Sequence, residues 1–299
     1  MRLLQLQTLV AVAEAGSIRA AAREMGRTQP SLTKSLHQLE EELGCPVFQR
    51  TQRGVILTKI GESVLAEARS VVVQVDRIKS GVQQRLENMA GEIRVCVSPI
   101  GGLLLLPQAI NDLQRKYPLV KVVVEEGLYP LALSPLREGY YDLVLGPEPP
   151  DSVGVELKVE PLLVTELMIV AREGHPQRES RSLKELLGYP WIVNGAPGSP
   201  SSLYTVAFEG AGMKVPEAVI HCNSLYSVVA MLEQTEGLCV LPRRLSEFIL
   251  GRNNLVELKV KERLPKLSIA MFTRANVPLT SVTEELARWV RLIAARYRK

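Results

Sequence analysis

The sequence predicts three consecutive parts: a small helical head, one long connecting helix, and a larger α/β body. Three observations carry that division. Apolar residues up to position 58 recur at helical spacing and are interrupted by glycines, residues 59–90 keep a seam of three- and four-residue steps, and from Gly91 short β-branched runs alternate with amphipathic stretches. With 299 residues the chain exceeds one ordinary domain of roughly 100–200 residues. It is 46% hydrophobic and 23% charged, a globular composition, and no window holds the roughly 18 uninterrupted apolar residues of a membrane span.

The N-terminal stretch MRLLQLQTLVAVAEAGS has some features of a secretion signal, but Gln5, Gln7 and Glu14 interrupt it and its apolar spacing is helical, so it reads as a first helix. Ser17 is placed to cap a second helix whose Ile18, Ala21, Ala22 and Met25 form one stripe. Gly26 suits a left-handed end to that helix, Thr28 is placed to cap a third, and Pro30 falls in the first turn. Leu32, Leu36, Leu39 and Leu43 then form another stripe. Two short helices around a glycine turn make a helix-turn-helix. The polar face of the third helix carries Gln29, Ser31, Thr33, Lys34, Ser35 and Gln38, a set of short donors and acceptors with one cation, suited to base edges in a major groove. Glu40, Glu41 and Glu42 lie at its far end. Spacing alone also fits a small bundle whose polar face is merely solvated. Residues 1–60 hold eight Lys/Arg against five Asp/Glu, so most of the net +4 sits at this end of the chain.

Thr58 is placed to cap a helix running to about Met89. Its Val64, Ala68, Val71, Val75, Ile78, Val82, Leu86 and Met89 trace a coiled-coil seam on a rod of about 45 Å. Such a seam pairs two chains, and a homodimer presents two recognition helices to a partly palindromic site. The alternative is a helix packed on its own domain.

In the body, strands are expected at 93–97, 120–125, 142–145, 167–171, 191–194, 218–221, 238–241 and 267–272, and helices at 103–116, 201–209, 225–234, 243–250 and 280–296. Two strand-to-helix loops, SPIGG at 98–102 and NGAPGSPSS at 194–202, would aim backbone amides and hydroxyls at an anion. Crossovers near 162 and 266 would bring them to one cleft between two lobes. As isolated features they are also ordinary turns.

Cys45, Cys96, Cys222 and Cys239 lack the paired spacing of a disulfide framework or zinc site, which points to a reducing cytoplasm and no metal. Ser31-Leu32-Thr33-Lys34 fits S-x-x-K, yet its supporting motifs are missing, as are a Walker loop, G-x-G-x-x-G and HExxH. His37, His175 and His221 are scattered. No catalytic residue is assigned.

The stretch GSIRAAAREMGRTQPSLTKSLHQLEEELGCPVFQRTQRGVILTKIGE resembles the N-terminal domain of LysR-type transcriptional regulators, through Gly16-Ser17, Ala21-Ala22, Gln29-Pro30-Ser31, Leu39-Glu40, Leu43-Gly44, Phe48-Gln49-Arg50, Leu57-Thr58 and Gly61. The resemblance implies an N-terminal all-α winged helix-turn-helix over 1–58, a dimerising linker helix over 59–90, and a two-lobed periplasmic-binding-protein-like effector domain over 91–299. Lobe I would comprise 91–162 and 267–299, and lobe II 163–266. Gln29, Pro30, Thr33 and Lys34 match positions facing the major groove. Arg50, Thr51, Gln52, Arg53 and Gly54 match the wing. With Ser17, Ser31 and Ser35 they complete the expected DNA-contact set. Thr33 stands where the family often has Ser. Ser98, Pro99, Ile100 and Gly101 match the first cleft loop, and Asn194, Ser199 and Ser201 lie in its second-lobe counterpart. Tyr129 replaces a small hydroxyl residue found in many members. The family further implies promoter DNA, RNA polymerase and a small, often anionic, metabolite as partners, a tetramer built from dimers, no cofactor and no enzymatic activity. The alternatives are a thiol sensor using Cys222 and Cys239, an enzyme on a binding-protein-like fold, and an architectural protein binding DNA without specificity.

Overall fold

The computed structural model describes all residues except 52–53, 87–90, 128–129, 150–151, 196–201, 218–219, 251–253 and 298–299, and omits the side chains of residues 50, 76, 77 and 79–86. The chain forms two compact units, residues 1–91 with 135–141, and residues 92–134 with 142–299.

The first unit opens with helices α1 (Leu3–Ala15), α2 (Ile18–Glu24) and α3 (Gln29–Leu43), a hairpin of β1 (Phe48–Thr51) and β2 (Gly54–Leu57), and the long helix α4 (Lys59–Leu86). Ser17 caps α2 as its spacing predicts, its hydroxyl accepting from Ala20 N at 3.0 Å. Gly26, at φ 61°, makes the reversal after α2. Thr28 occupies the N-cap position of α3, but its side chain makes no capping bond there, a departure from expectation. The head's core joins Leu6, Leu9 and Val12 of α1 to Ala21 and Ala22 of α2 and to Leu32, Leu36 and Leu39 of α3. Each large side chain so buried contributes about 1.5–3 kcal/mol. The alanines let α2 lie close.

The hairpin is fixed from two sides. Glu40 Oε1 accepts from the Val47 and Phe48 amides at 2.8 and 3.3 Å, and Val55 N donates to Gly16 O at 3.2 Å. Gly54 sits at φ 142°, where a Cβ would lie 2.5 Å from Gly16 O. The head is therefore not purely helical: its wing is a two-stranded antiparallel ribbon.

Thr58 caps α4, accepting from Gly61 N at 2.9 Å while donating to Pro46 O at 3.0 Å. The seam read along this helix divides in two. Ala68 is buried in the head's own core beside Leu65, and Val64 packs against it, so these positions are already covered within the chain. Val71 and Ile78 stay exposed, Val75 is half-buried, and the side chain of Val82 lies outside the described residues. The reason is geometric: α4 lies on α1, so its flank carrying Val64, Leu65, Ala68 and Val72 is covered while Val71 and Ile78 face away.

After α4 the chain runs through β3 (Gly91–Val97), α5 (Pro99–Leu104), α6 (Leu106–Lys116), β4 (Val120–Glu126), the short α7 (Leu133–Glu138), β5 (Leu143–Pro147) and β6 (Leu157–Arg172). It continues with β7 (Ile192–Asn194), α8 (Leu203–Gly210), β8 (Ile220–Cys222), α9 (Leu225–Gln234), β9 (Cys239–Pro242), α10 (Arg243–Leu250), β10 (Leu255–Leu258), β11 (Lys266–Arg274) and α11 (Ser281–Ala295). Most of α7 groups with the first unit. The main sheet runs β10-β6-β11-β5-β3-β4, with β9 also on β6. The first part of β6 pairs with β11, while residues from Leu167 onward pair with β9 and β10. One 16-residue strand thus serves two lobes. A parallel pair, β7 and β8, completes lobe II.

Two expectations needed revision here. A single helix over 103–116 is instead α5 and α6, broken at Leu105 (φ −108°), because Pro107 in the first turn of α6 lacks an amide proton for a continuous ladder. The stretch 98–101 is correspondingly not a loop but the capped start of α5. A strand beginning at Leu167 instead begins at Leu157, since Pro161 sits where the pairing with β11 slips by one residue at Ile269/Ala270 and a proline is tolerated. Strand β10 and helix α7 had no clear signal of their own.

Candidate nucleic-acid interface and effector cleft

Burial of Leu32, Leu36 and Leu39 fixes the rotation of α3 and turns its opposite face outward. Gln29, Pro30, Thr33, Lys34, His37, Gln38 and Glu41 line one open depression along that face. Gln29, Pro30, Ser31 and Lys34 are exposed and Thr33 half-buried. Lys34 makes no ion pair among the described residues, whereas His37 lies 3.2 Å from Glu41 one turn on. Acidic groups are concentrated at the other end of α3. The N-terminal ammonium bonds the Glu42 carboxylate and holds it below the usual carboxylate range. Ser35 is a correction: it is 8% exposed and faces the Thr8 hydroxyl at 3.3 Å, so it belongs to the head's interior and not to the reading face. Ser17 spends its oxygen as a cap. Arg50 lies on β1 opposite Val55, with its side chain outside the described residues, as are Gln52 and Arg53 altogether.

In the second unit a narrow cleft of about 50 Å³ is lined by Ser98, Pro99, Ile100, Pro147, Glu148, Pro149, Asn194, Gly195, Ser202, Leu203, Leu241, Pro242 and Leu245. Ser98 caps α5, accepting from Gly101 N, while its own amide donates to Leu145 O at 2.8 Å. Its hydroxyl proton is left to donate. Asn194 is held by Nδ2 donating to Cys222 O at 3.1 Å, and Ser202 caps α8 by accepting from Thr205 N at 3.2 Å. The cleft therefore joins two helix starts, where backbone amides and the positive dipole end favour an anion. Its floor is apolar. No Lys or Arg is among its described lining, and Glu148 is the charged member. Gly101 does not line it: a Cβ there would lie 2.8 Å from Leu145 O, so this glycine permits close packing of α5 on β5. Tyr129, Ser199 and Ser201 lie outside the described residues. Sequence reasoning missed Pro147, Glu148, Pro149, Leu203, Leu241, Pro242 and Leu245, and reached Ser202 only as the last residue of the loop 194–202.

All four cysteines are free thiols. Cys222 is on β8 and Cys239 on β9. Asn194 of β7 pairs with Cys222, whereas Ile192 N donates to Leu238 O, which places β8 and β9 on opposite sides of β7. Two strand spacings put the two backbones about 9–10 Å apart, beyond the roughly 7 Å Cα limit for a disulfide without backbone movement. Burial pushes the Cys239 thiol up to about 12, the wrong direction for a reactive thiolate. Among the described residues no group of three or more His, Cys, Asp or Glu is placed to hold a metal, and no helix is long and apolar enough to cross a membrane.

A DNA-reading head followed by a two-lobed ligand cleft is the arrangement of a one-component regulator, and comparison with known proteins agrees. Residues 3–62 match the model of the bacterial regulatory helix-turn-helix protein, lysR family, and residues 87–293 match the LysR substrate binding domain. The chain belongs to the LysR family of transcriptional regulators. It is 29% identical over 238 residues to the HTH-type transcriptional regulator GalR of Pseudomonas putida, covering 79% of this chain but only 60% of that protein's length. It is 28% identical over 295 residues to the DNA-binding transcriptional dual regulator OxyR of Escherichia coli, covering 97% and 95%. Among solved structures, CbnR, a LysR family transcriptional regulator, superposes with a TM-score of 0.72 at 19% identity over 98% of this chain and 99% of that one. A full-length OxyR from Pseudomonas aeruginosa gives 0.68 at 23% identity, covering 98% of each chain. Both describe the same fold.

Proposed function

We propose that this regulator reads a specific promoter duplex with Gln29, Pro30, Thr33 and Lys34 in the major groove, with Ser31 beside them and Arg50 and Arg53 of the wing on the backbone. The observation that carries the reading is the outward-facing polar ridge on α3, whose Lys34 makes no ion pair among the described residues, held in rotation by three buried leucines. The exposed Val71 and Ile78, together with Val75 and Val82, pair two copies along α4, and dimers assemble into a tetramer that engages RNA polymerase in the cytoplasm. The effector is a small organic anion without a separate cofactor. Its charged end meets the Ser98 hydroxyl, the Asn194 side chain and the amides at the start of α8, with Tyr129, Ser199 and Ser201 as further ligand-binding residues. Its body lies on Ile100, Leu203, Leu241 and Leu245. A ligand of this kind shifts the heads only by binding one arrangement better than another. Thiol sensing through Cys222 and Cys239 has no support in their spacing, and no nucleophile with a positioned base among the described residues supports turnover.

The test is a double dissociation. Lys34→Ala weakens operator binding by about 1–3 kcal/mol and leaves ligand-induced thermal stabilisation intact, whereas Ser98→Ala does the reverse. Both variants changing the same readout would refute this division.

A further inference from the structure

The acidic side chains of the head are mostly spent locally. Glu14 pairs with Arg69, Glu40 accepts from two amides of the wing, Glu41 pairs with His37, and Glu42 binds the N-terminal ammonium and Gln5. Arg19, Arg23 and Arg27, by contrast, are all exposed and make no ion pair among the described residues. Arg19 and Arg23 are one turn apart on one flank of α2, offset by about 40° and 6 Å of rise. Burial of Ala21 and Ala22 fixes that flank. Arg27 follows the Gly26 reversal, its amide donating to Ala22 O at 2.9 Å, two residues before Gln29 begins the reading helix.

We infer that Arg19, Arg23 and Arg27 grip the sugar-phosphate backbone and set the register of α3 in the groove, a role that rests on the DNA reading above. Three guanidinium groups without an ion pair among the described residues, two of them about 6 Å of helix rise apart and the third just past the turn, match a ligand with one negative charge per roughly 3.4 Å of each strand. The guanidinium fork also suits phosphate oxygens better than a point cation does. Base-edge residues supply sequence choice, and this ridge supplies position and charge neutralisation. Arginines that merely solubilise the surface would leave DNA binding unmoved.

The test uses the full-length protein, a duplex selected by it from a random-sequence library, and a scrambled duplex of the same composition. Binding is titrated against salt for the wild type, the triple variant R19Q/R23Q/R27Q and the triple lysine variant R19K/R23K/R27K, with folding checked by thermal denaturation. The glutamine variant should bind both duplexes about tenfold or more weakly at ~0.15 M salt, and its salt slope should fall by about 0.9 for each phosphate lost per head. The preference for the selected duplex should persist, and the lysine variant should recover the slope. An unchanged slope in a folded glutamine variant overturns the inference while leaving the DNA reading standing. Loss of preference with an unchanged slope overturns it by making these residues base readers. Failure of wild-type protein to select any duplex removes both.

Discussion

The ridge on α3 and the cleft in the second unit use similar chemistry, small polar groups near helix starts, but they are built in opposite ways. The ridge draws its residues from one helix between Gln29 and Glu41, while the cleft gathers six separate segments between Ser98 and Leu245. A single helix obeys its own period, so burying one stripe exposes the other without further information. Six segments meet only if the sheet, its crossovers and two helix starts are all in place. A reading surface built the first way needs only its own helix, whereas a cleft built the second way draws its walls from two lobes.

The comparison breaks most visibly if the head's scaffold is disturbed. Gly61 in α4 has no room for a Cβ, which would lie 2.1 Å from Val47 O, so Gly61→Ala should cost the head about 3 kcal/mol or more and abolish DNA binding. Thermal denaturation and hydrogen exchange over α1–α3 read the loss, and ligand binding by the second unit should survive it.

A smaller effect separates surface from scaffold. Gln29→Ala should weaken discrimination between the best and a single-mismatch duplex by about 1–3 kcal/mol with no change in melting temperature. Its neighbour in the same helix behaves oppositely. Ser35→Ala should leave DNA affinity unchanged and shift stability by about 0.5–1.5 kcal/mol through its contact with Thr8. If Ser35→Ala altered sequence preference, the ridge would be rotated from the arrangement described.

The least effect expected is a pH response confined to the second unit. His175 is buried, and desolvation lowers its imidazole from the ordinary value of 6.5, with Nδ1 accepting from Gln177 N and Nε2 against Glu236 O. The folded state therefore prefers the neutral ring. Its contribution is present above pH 6.5 and is lost as pH falls below that value, because the unfolded chain takes up the proton first. Melting temperature measured against pH should decline on that side in the wild type and decline less in His175→Gln.

The helix-turn-helix was legible because Ser17, Gly26, Pro30 and the leucines at 32, 36 and 39 signal locally. The same locality misled in places. Ser35 falls among polar residues in the sequence yet belongs on the wheel beside Leu32 and Leu39, and Thr28 has cap chemistry that it does not use. In the second unit, Pro161 hid the first half of β6 and Pro107 hid a helix break. Pro147, Leu241 and Leu245 gave no sign of sharing a cleft.

By itself the sequence determined where helices begin and end in the head, which α3 face points outward apart from Ser35, and the alternation of strand and helix beyond Gly91. These are decided by neighbours within a turn or two. Only the tertiary structure decided that Ala68 is covered within its own chain, that β6 spans both lobes, that Cys222 and Cys239 flank β7 on opposite sides, and which six segments enclose the cleft. Those depend on contacts between residues far apart along the chain, which short-range periodicity does not encode.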